Sequence, residues 1–134
     1  MRKISEIETY KDQIEEFSTI TTKEYRGNWR TQRIVERTLQ MMIEICVDIS
    51  NHIISGEKIR VPVSYVDTFK ILHENSIIDS KLFGIMEKMA KFRNILVHQY
   101  EEVDAEIVVL ILKEHLGDFD RFKEAILGYL EKWS

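Results

Sequence analysis

The stretch of sequence that decides the fold is RTQRIVERTLQMMIEICVDISNHIIS, residues 30–55. Its apolar residues recur at steps of three and four over about five turns, as expected for an amphipathic helix. They are Ile34, Val35, Leu39, Met42, Ile43, Cys46, Ile49 and Ile53. We predict a helix that starts between residues 22 and 29 and ends near Ser55, with Gly56 as its C′ residue.

Helical patterns continue on both sides of this stretch. Ile4, Ile7, Ile14 and Phe17 share a helix face, Ser64 caps a third element, and Asp79 or Ser80 opens a helix that ends near Tyr100. Asp104 caps a last helix whose apolar stripe reaches Trp133 and which Gly117 kinks or divides. With one proline and five glycines in 134 residues, the chain contains few helix breakers. We therefore predict an all-α, up-and-down bundle of four to five helices, forming a single domain over residues 1–134.

The long helix also predicts a dimer. At about 1.5 Å per residue it would be nearly 40 Å long. A domain of this size cannot easily cover so long an apolar stripe with its own side chains, so a second copy of the chain is expected to do so.

The net charge of −4 excludes a protein that coats nucleic acid through its overall charge, because such proteins are strongly basic. A role on RNA must therefore depend on a local site. One basic strip begins the long helix and comprises Arg26, Arg30, Arg33 and Arg37. It is either a solvated face paired with acidic neighbours or a surface for RNA phosphates or a protein partner.

Three further observations concern location and cofactors. Cys46 is the only cysteine, and we interpret it as a buried apolar residue in a reducing compartment rather than as a catalytic thiol. No apolar run approaches the roughly 20 residues that a membrane-spanning helix needs, and no signal peptide is evident, so we expect a cytoplasmic protein without membrane contact. No spacing typical of metal ligands occurs, and we predict no metal and no cofactor.

The residues with chemical potential lie in KFRNILVHQY, residues 91–100. Arg93, Asn94, His98 and Tyr100 interrupt an apolar helix, where a buried arginine or histidine would be costly without a partner. If the helix is regular to its end, Arg93 and Tyr100 share one face, and Asn94 and His98 share another about 120° away. The alternative is that Arg93 forms a salt bridge with a glutamate, His98 is a satisfied core histidine, and Tyr100 packs its ring.

Arg93, His98 and Tyr100 form the pattern Arg-x4-His-x-Tyr, with Asn94 directly after the arginine. This pattern resembles the HepT branch of the HEPN domains. Residues 30–40 and 45–54, and residues 63–65 leading to Phe69, are also similar to that branch, so the likeness covers about residues 4–133.

The resemblance implies a dimeric, metal-independent endoribonuclease toxin that cleaves RNA, either tRNA or mRNA, in a cleft where two copies of the motif meet. His98 would then act as the acid–base group, Arg93 would stabilise the transition state, and Asn94 would support them. The resemblance also implies a partner, a minimal nucleotidyltransferase antitoxin of the MntA type that transfers AMP from ATP to Tyr100. A bulky anion on Tyr100 would occupy Arg93 and block RNA.

Asp48 is a further candidate, because a polar residue at this position matches the family run and could orient His98 or an RNA 2′-hydroxyl. The alternative is an exposed helical pair with His52. For the whole chain, two other functions are kept open. One is a non-catalytic HEPN partner or substrate-binding subunit of a nucleotidyltransferase, and the other is a purely structural helical dimer.

Overall fold

The computed structural model describes residues 2–132, and this part of the chain forms seven α-helices and no strand. The helices are α1 (Arg2–Ile14), α2 (Thr22–Arg26), α3 (Trp29–Gly56), α4 (Tyr65–Glu74), α5 (Ser80–His98), α6 (Ala105–Leu110) and α7 (Gly117–Lys132). The all-α prediction is confirmed. There are more helices than predicted because the short α2 precedes α3 and because the last predicted helix is divided. Trp133 lies outside the described residues.

Side-chain caps determine where the helices begin. Ser64 accepts a hydrogen bond from the backbone N–H of Asp67, and Asp79 accepts one from Leu82, as the sequence predicted. Asp104 caps α6 in a similar way. The unpredicted helix α2 begins with a capping box between Thr21 and Glu24. The sequence contains the signature of this motif, a threonine followed three residues later by a glutamate.

Helix α3 is central and packs against α1, α2, α4 and α5. Its predicted apolar stripe is buried from Val35 to Ile53 by the other helices of the same chain, whereas Ile34 at its start is 53% exposed. Ile34 is rotated by about 100° around the helix axis from Val35, so it lies on the solvent side of the stripe. The expectation that a second copy of the chain covers this stripe was therefore wrong, and the dimer stays a prediction. Cys46 is fully buried, as predicted.

The prediction for Gly56 was wrong. Gly56 belongs to the last turn of α3, and the residue with a left-handed backbone is Lys58, with φ of 54°. The reversal that ends α3 is therefore two residues later than a C′ glycine would place it.

The second half of the chain contains two departures from regular helix. Helix α5 ends at His98, because Gln99 has φ −139° and ψ 41°, and a 3₁₀ turn from Tyr100 to Glu102 follows. Further on, a π-helical turn over residues 111–115 separates α6 from α7. This division of the last helix was expected at Gly117, which is the first residue of α7.

Candidate active site at the end of α5

Arg93 is held firmly by two other helices. Its Nη2 and Nε atoms donate to Oε2 of Glu44 in α3 at 2.6 and 2.9 Å. The guanidinium also lies over the ring of Tyr65 in α4, 4.6 Å from the ring centroid. The Arg93 side chain is 16% exposed, so these contacts fix its direction while part of it still reaches solvent.

The contact with Glu44 uses one particular edge of the arginine. A guanidinium has five N–H donors, and Glu44 takes the side formed by Nε and Nη2. The end formed by Nη1 and Nη2 keeps donors for another acceptor. Nη1 donates to the side-chain oxygen of Asn94 at the long distance of 3.5 Å. The arrangement is suited to binding an anion such as a phosphate through the end of the guanidinium.

His98 and Asn94 lie one turn apart near the C-terminus of α5, and both are exposed. Within residues 2–132, the His98 imidazole has no hydrogen-bond or ion-pair partner. The alternative that His98 is a satisfied core histidine is therefore wrong, and the side chain is accessible to a bound substrate.

Tyr100 differs most from its predicted position. The sequence placed it on the same helix face as Arg93, but α5 ends before Tyr100 and the backbone at Gln99 redirects the chain. The Tyr100 ring is 58% exposed and does not pack in the core.

The Tyr100 ring borders two surface cavities. A shallow cavity of about 230 Å³ is shared with residues of α3 and α5: Arg33, Glu36, Arg37, Gln40 and Leu96. A second groove, of about 430 Å³, includes Tyr100, Arg26 and Arg33 among its lining residues. Tyr100 thus lies beside the basic strip at the start of α3, and Arg93 lines neither cavity.

Asp48 is exposed on α3, one turn beyond Glu44. Its Oδ2 atom lies 3.5 Å from Nζ of Lys3 in α1. Asp48 therefore forms an ion pair with Lys3 of α1 rather than a pair with His52. Its role at the site stays a prediction.

Glu44 and Tyr65 were not identified from the sequence. The alternative that Arg93 pairs with a glutamate was correct, but Glu44 is 49 residues away and no local pattern selects it among the acidic residues. Glu44 also accepts a hydrogen bond from Gln40 at 3.1 Å. The only sequence signal was its place beside the buried stripe of the long helix.

Burial separates Cys46 from this site. The thiol is completely enclosed by the core, and the burial raises its pKa well above the ordinary value. In residues 2–132, no group of three or more His, Cys, Asp and Glu side chains lies in an arrangement that could hold a metal ion. None of the helices within the described range has the length and apolar character needed to cross a membrane.

Residues 7–126 match the family described as Ribonuclease HepT-like. The chain belongs to this family. The resemblance to this family is thereby confirmed, and the match covers every helix from the first turns of α1 to the middle of α7.

Relatives of known name agree with this assignment. The mRNA nuclease HepT of Shewanella oneidensis is 36% identical over 103 residues, which are 77% of this chain and 77% of that protein. The tRNA nuclease HepT of Aphanizomenon flos-aquae is 27% identical over 121 residues, 90% of this chain and 82% of that protein.

A solved structure places the HepT-like fold in an assembly. It is the tri-AMPylated HEPN toxin of Shewanella oneidensis in complex with an MNT antitoxin. The toxin-like fold of the present chain superposes with a TM-score of 0.86 at 32% identity, covering 95% of each chain. The HEPN fold is thus shared with a toxin that binds an antitoxin and carries AMP.

Proposed function

We propose that this chain is a metal-independent endoribonuclease toxin, cytoplasmic, dimeric, and neutralised by a nucleotidyltransferase antitoxin that adds AMP to Tyr100. The observation that carries the proposal is the pairing of a fixed Arg93 with a free, exposed His98 on the last two turns of α5. The family membership and the names of the relatives support the same activity.

The proposed reaction is an internal transfer at a phosphodiester. The RNA 2′-oxygen attacks the adjacent phosphorus and loses its proton, while the bond from phosphorus to the 5′-oxygen breaks and that oxygen gains a proton. The products are a 2′,3′-cyclic phosphate and a 5′-hydroxyl. His98 transfers one of these protons, because an imidazole can donate or accept near neutral pH.

Arg93 stabilises the charge that builds up on the phosphate oxygens. The end of its guanidinium carries donors that Glu44 leaves unused, and two parallel hydrogen bonds to one phosphate are the geometry that this end favours. Asn94 either orients His98 or binds a further phosphate oxygen.

A single copy of the motif does not supply a second acid–base group. One proton must be removed and another delivered on opposite sides of the phosphorus. We therefore propose that two chains place their α5 ends in one cleft, so that His98 of each copy serves one of the two transfers. The expected arrangement is a symmetric dimer in which loss of His98 from either copy impairs the shared site.

The proposed modification uses the Tyr100 hydroxyl, which lies on an exposed ring. The phenolic oxygen attacks the α-phosphorus of ATP, pyrophosphate leaves, and the phenolic proton passes to solvent. The product is a phosphodiester that links the tyrosine to AMP. A relative that carries AMP in complex with its antitoxin supports this proposal.

A second candidate function is a non-catalytic partner subunit of a nucleotidyltransferase. The ion pair between Arg93 and Glu44 favours it, because an arginine already neutralised in a salt bridge is a common structural feature. The negative net charge points in the same direction.

Expression of the chain without any partner gene separates the two candidates. The wild type, His98→Ala, Tyr100→Phe and His52→Ala would be compared by growth and by profiling of intact cellular RNA. His52→Ala is the matched control, since His52 is an exposed histidine on α3. We expect growth arrest and RNA cleavage with the wild type, Tyr100→Phe and His52→Ala, but not with His98→Ala.

Harmless expression of all four proteins with intact RNA would reject the ribonuclease proposal in favour of the partner subunit. Co-expression with a nucleotidyltransferase antitoxin of the MntA type then tests the modification. Mass spectrometry is expected to find AMP on Tyr100 of the wild type and none on Tyr100→Phe, which should remain toxic.

A further inference from the structure

One surface of the molecule has cationic character that the proposed reaction does not use. Glu36, Arg37 and Gln40 lie three, four and seven residues after Arg33 on α3, so the four residues share a helix face. This face lines the cavity of about 230 Å³ that Tyr100 and Leu96 close from the other side. Arg33 and Arg37 of the basic strip therefore form one site with the tyrosine.

The two arginines of this cavity are available to a ligand. Among residues 2–132, Arg37 has no ion-pair or hydrogen-bond partner. Arg33 has one long contact, 3.6 Å from its Nη1 atom to Glu36, and its side chain is 58% exposed. Glu36 also accepts a hydrogen bond from the hydroxyl of the buried Tyr25, so its charge is partly committed there. Two arginines against one such glutamate leave the cavity positive.

The cavity is also connected to the reacting centre. Gln40 at its edge donates to Glu44, and the same Glu44 oxygen accepts from Arg93. From Arg33 to Glu44 the helix rises about 16 Å, so a polar track runs along α3 from the basic strip to the arginine that meets the reacting phosphate. Leu96 and the Tyr100 ring give the track an apolar wall on which a base can stack.

We propose that Arg33 and Arg37, with Tyr100 as the wall, form a phosphodiester-binding site that is distinct from the centre at Arg93 and His98. This inference rests on the proposed function and extends it. In the unmodified protein the site would bind the RNA backbone next to the reacting phosphate. In the modified protein the same arginines would bind the phosphodiester that links AMP to Tyr100.

The site explains how a group on Tyr100 can block RNA although Tyr100 is not on the face of Arg93. The AMP phosphodiester is of the same chemical class as the RNA linkage and is held at the same arginines. Modification would thus remove the backbone-binding site by filling it. The groove on the other side of Tyr100, with Arg26 and Arg33 among its residues, provides room for additional AMP groups.

The first experiment measures RNA binding by the intact protein. The probe is a short, fluorescently labelled oligoribonucleotide with 2′-O-methyl groups, which cannot undergo cleavage. The variant Arg33→Gln/Arg37→Gln is compared with Lys81→Gln/Lys113→Gln, which removes the same charge from exposed positions that do not line the cavity. We expect roughly tenfold weaker binding for the first variant, and a log–log salt slope smaller by about 1.4, since each single-strand phosphate contact contributes about 0.7.

The second experiment measures protection of AMP on Tyr100. Protein modified by the nucleotidyltransferase with ATP is treated with a phosphodiesterase, and released AMP is followed over time. We expect several-fold faster release from Arg33→Gln/Arg37→Gln than from the control variant, because the arginines no longer hold the phosphodiester.

The two measurements separate the two sources of the phosphodiester. A change in RNA affinity alone assigns the site to RNA, and a change in AMP release alone assigns it to the modified tyrosine. If both variants behave alike in both experiments, the inference is overturned. Failure of the proposed ribonuclease activity is a different result, namely wild-type protein that leaves cleavable RNA intact, and it does not alter the comparison of AMP release. Failure of the proposed modification is seen as absence of AMP on wild-type Tyr100, and it does not alter the comparison of RNA binding.

Discussion

The contact between Glu44 and Arg93 makes a quantitative prediction about catalysis. Glu44 holds the Nε side of the guanidinium and leaves donors at its other end unused, so we treat Glu44 as a positioning residue for Arg93. Removal of the carboxylate in Glu44→Ala should leave Arg93 attached only by its contact with Tyr65, and the guanidinium should lose its fixed direction.

The magnitude follows from the hydrogen bonds. Bonds to charged groups contribute about 1.5–3 kcal/mol each, but here both share one oxygen and the side chains are 16% and 28% exposed. We take about 2 kcal/mol for the pair, and if this is lost in the transition state, kcat/KM falls about 30-fold. Glu44→Gln keeps an acceptor and loses the charge, so a fall of about fivefold is expected.

The assay measures kcat/KM on a fluorogenic RNA together with the midpoint of urea unfolding. Glu87→Gln is the control, because Glu87 lies on α5 without an ion pair in the described part of the chain. We expect the order wild type and Glu87→Gln, then Glu44→Gln, then Glu44→Ala. All variants should be folded under the assay conditions, as judged by circular dichroism.

Two outcomes would refute the reasoning. Wild-type kcat/KM in Glu44→Ala would mean that Tyr65 and the backbone are enough to orient Arg93. A higher kcat/KM would mean that Glu44 competes with phosphate for the guanidinium, so that the ion pair inhibits the site.

Three further predictions concern stability and reactivity. Arg60 lowers the pKa of Asp67 to about 2. The pair therefore stabilises the fold above the unfolded pKa of the carboxyl, which is near 4, and this contribution is lost as the pH falls towards 2. Asp67→Asn should lower the melting temperature at pH 7 and should make the melting temperature fall less steeply between pH 4 and pH 2. The thiol of Cys46 should not react with an aromatic disulfide reagent in the native protein and should react fully in guanidinium chloride; rapid native reaction would contradict its burial. Phe122→Ala removes a fully buried ring that meets Phe69 edge to face at 6.0 Å, and should cost about 3–5 kcal/mol in urea unfolding, whereas a loss below 1 kcal/mol would mean that the core closes around the gap.

The sequence predicted the helices well because each one carries its own signals. The apolar steps in residues 30–55 and the caps at Ser64, Asp79 and Asp104 are local features, and they determine helix type and N-terminus. Apart from the missed helix α2 and the π-helical turn that divides the last helix, the errors occurred at C-termini. Neither the reversal at Lys58 nor the break at Gln99 involves a glycine or a proline, so composition gave no warning of them.

The site was predicted only in part for a related reason. The motif gave Arg93, Asn94, His98 and Tyr100 from one stretch of ten residues. Their spatial relations depended on a helix wheel that is valid only while the helix lasts. The helical wheel therefore failed for Tyr100, whose neighbours include residues of α3.

Partners from distant helices escape such reasoning altogether. Glu44 and Tyr65 meet Arg93 because three helices pack together, and that packing depends on the whole core. The basic strip was noticed as a charge pattern, but its meeting with Tyr100 became visible only in the structure.

The distance in sequence between Glu44 and Arg93 has a consequence for how the protein is made. The two residues are 49 positions apart, so the arginine acquires its orientation only after α5 has been synthesised and has docked on α3. A chain still emerging from the ribosome, or one cut short before residue 93, carries no oriented arginine. On the proposed mechanism, the cell is therefore exposed to the activity only after α5 has been made and has docked on α3. A neutralising partner can already be present during that interval of synthesis.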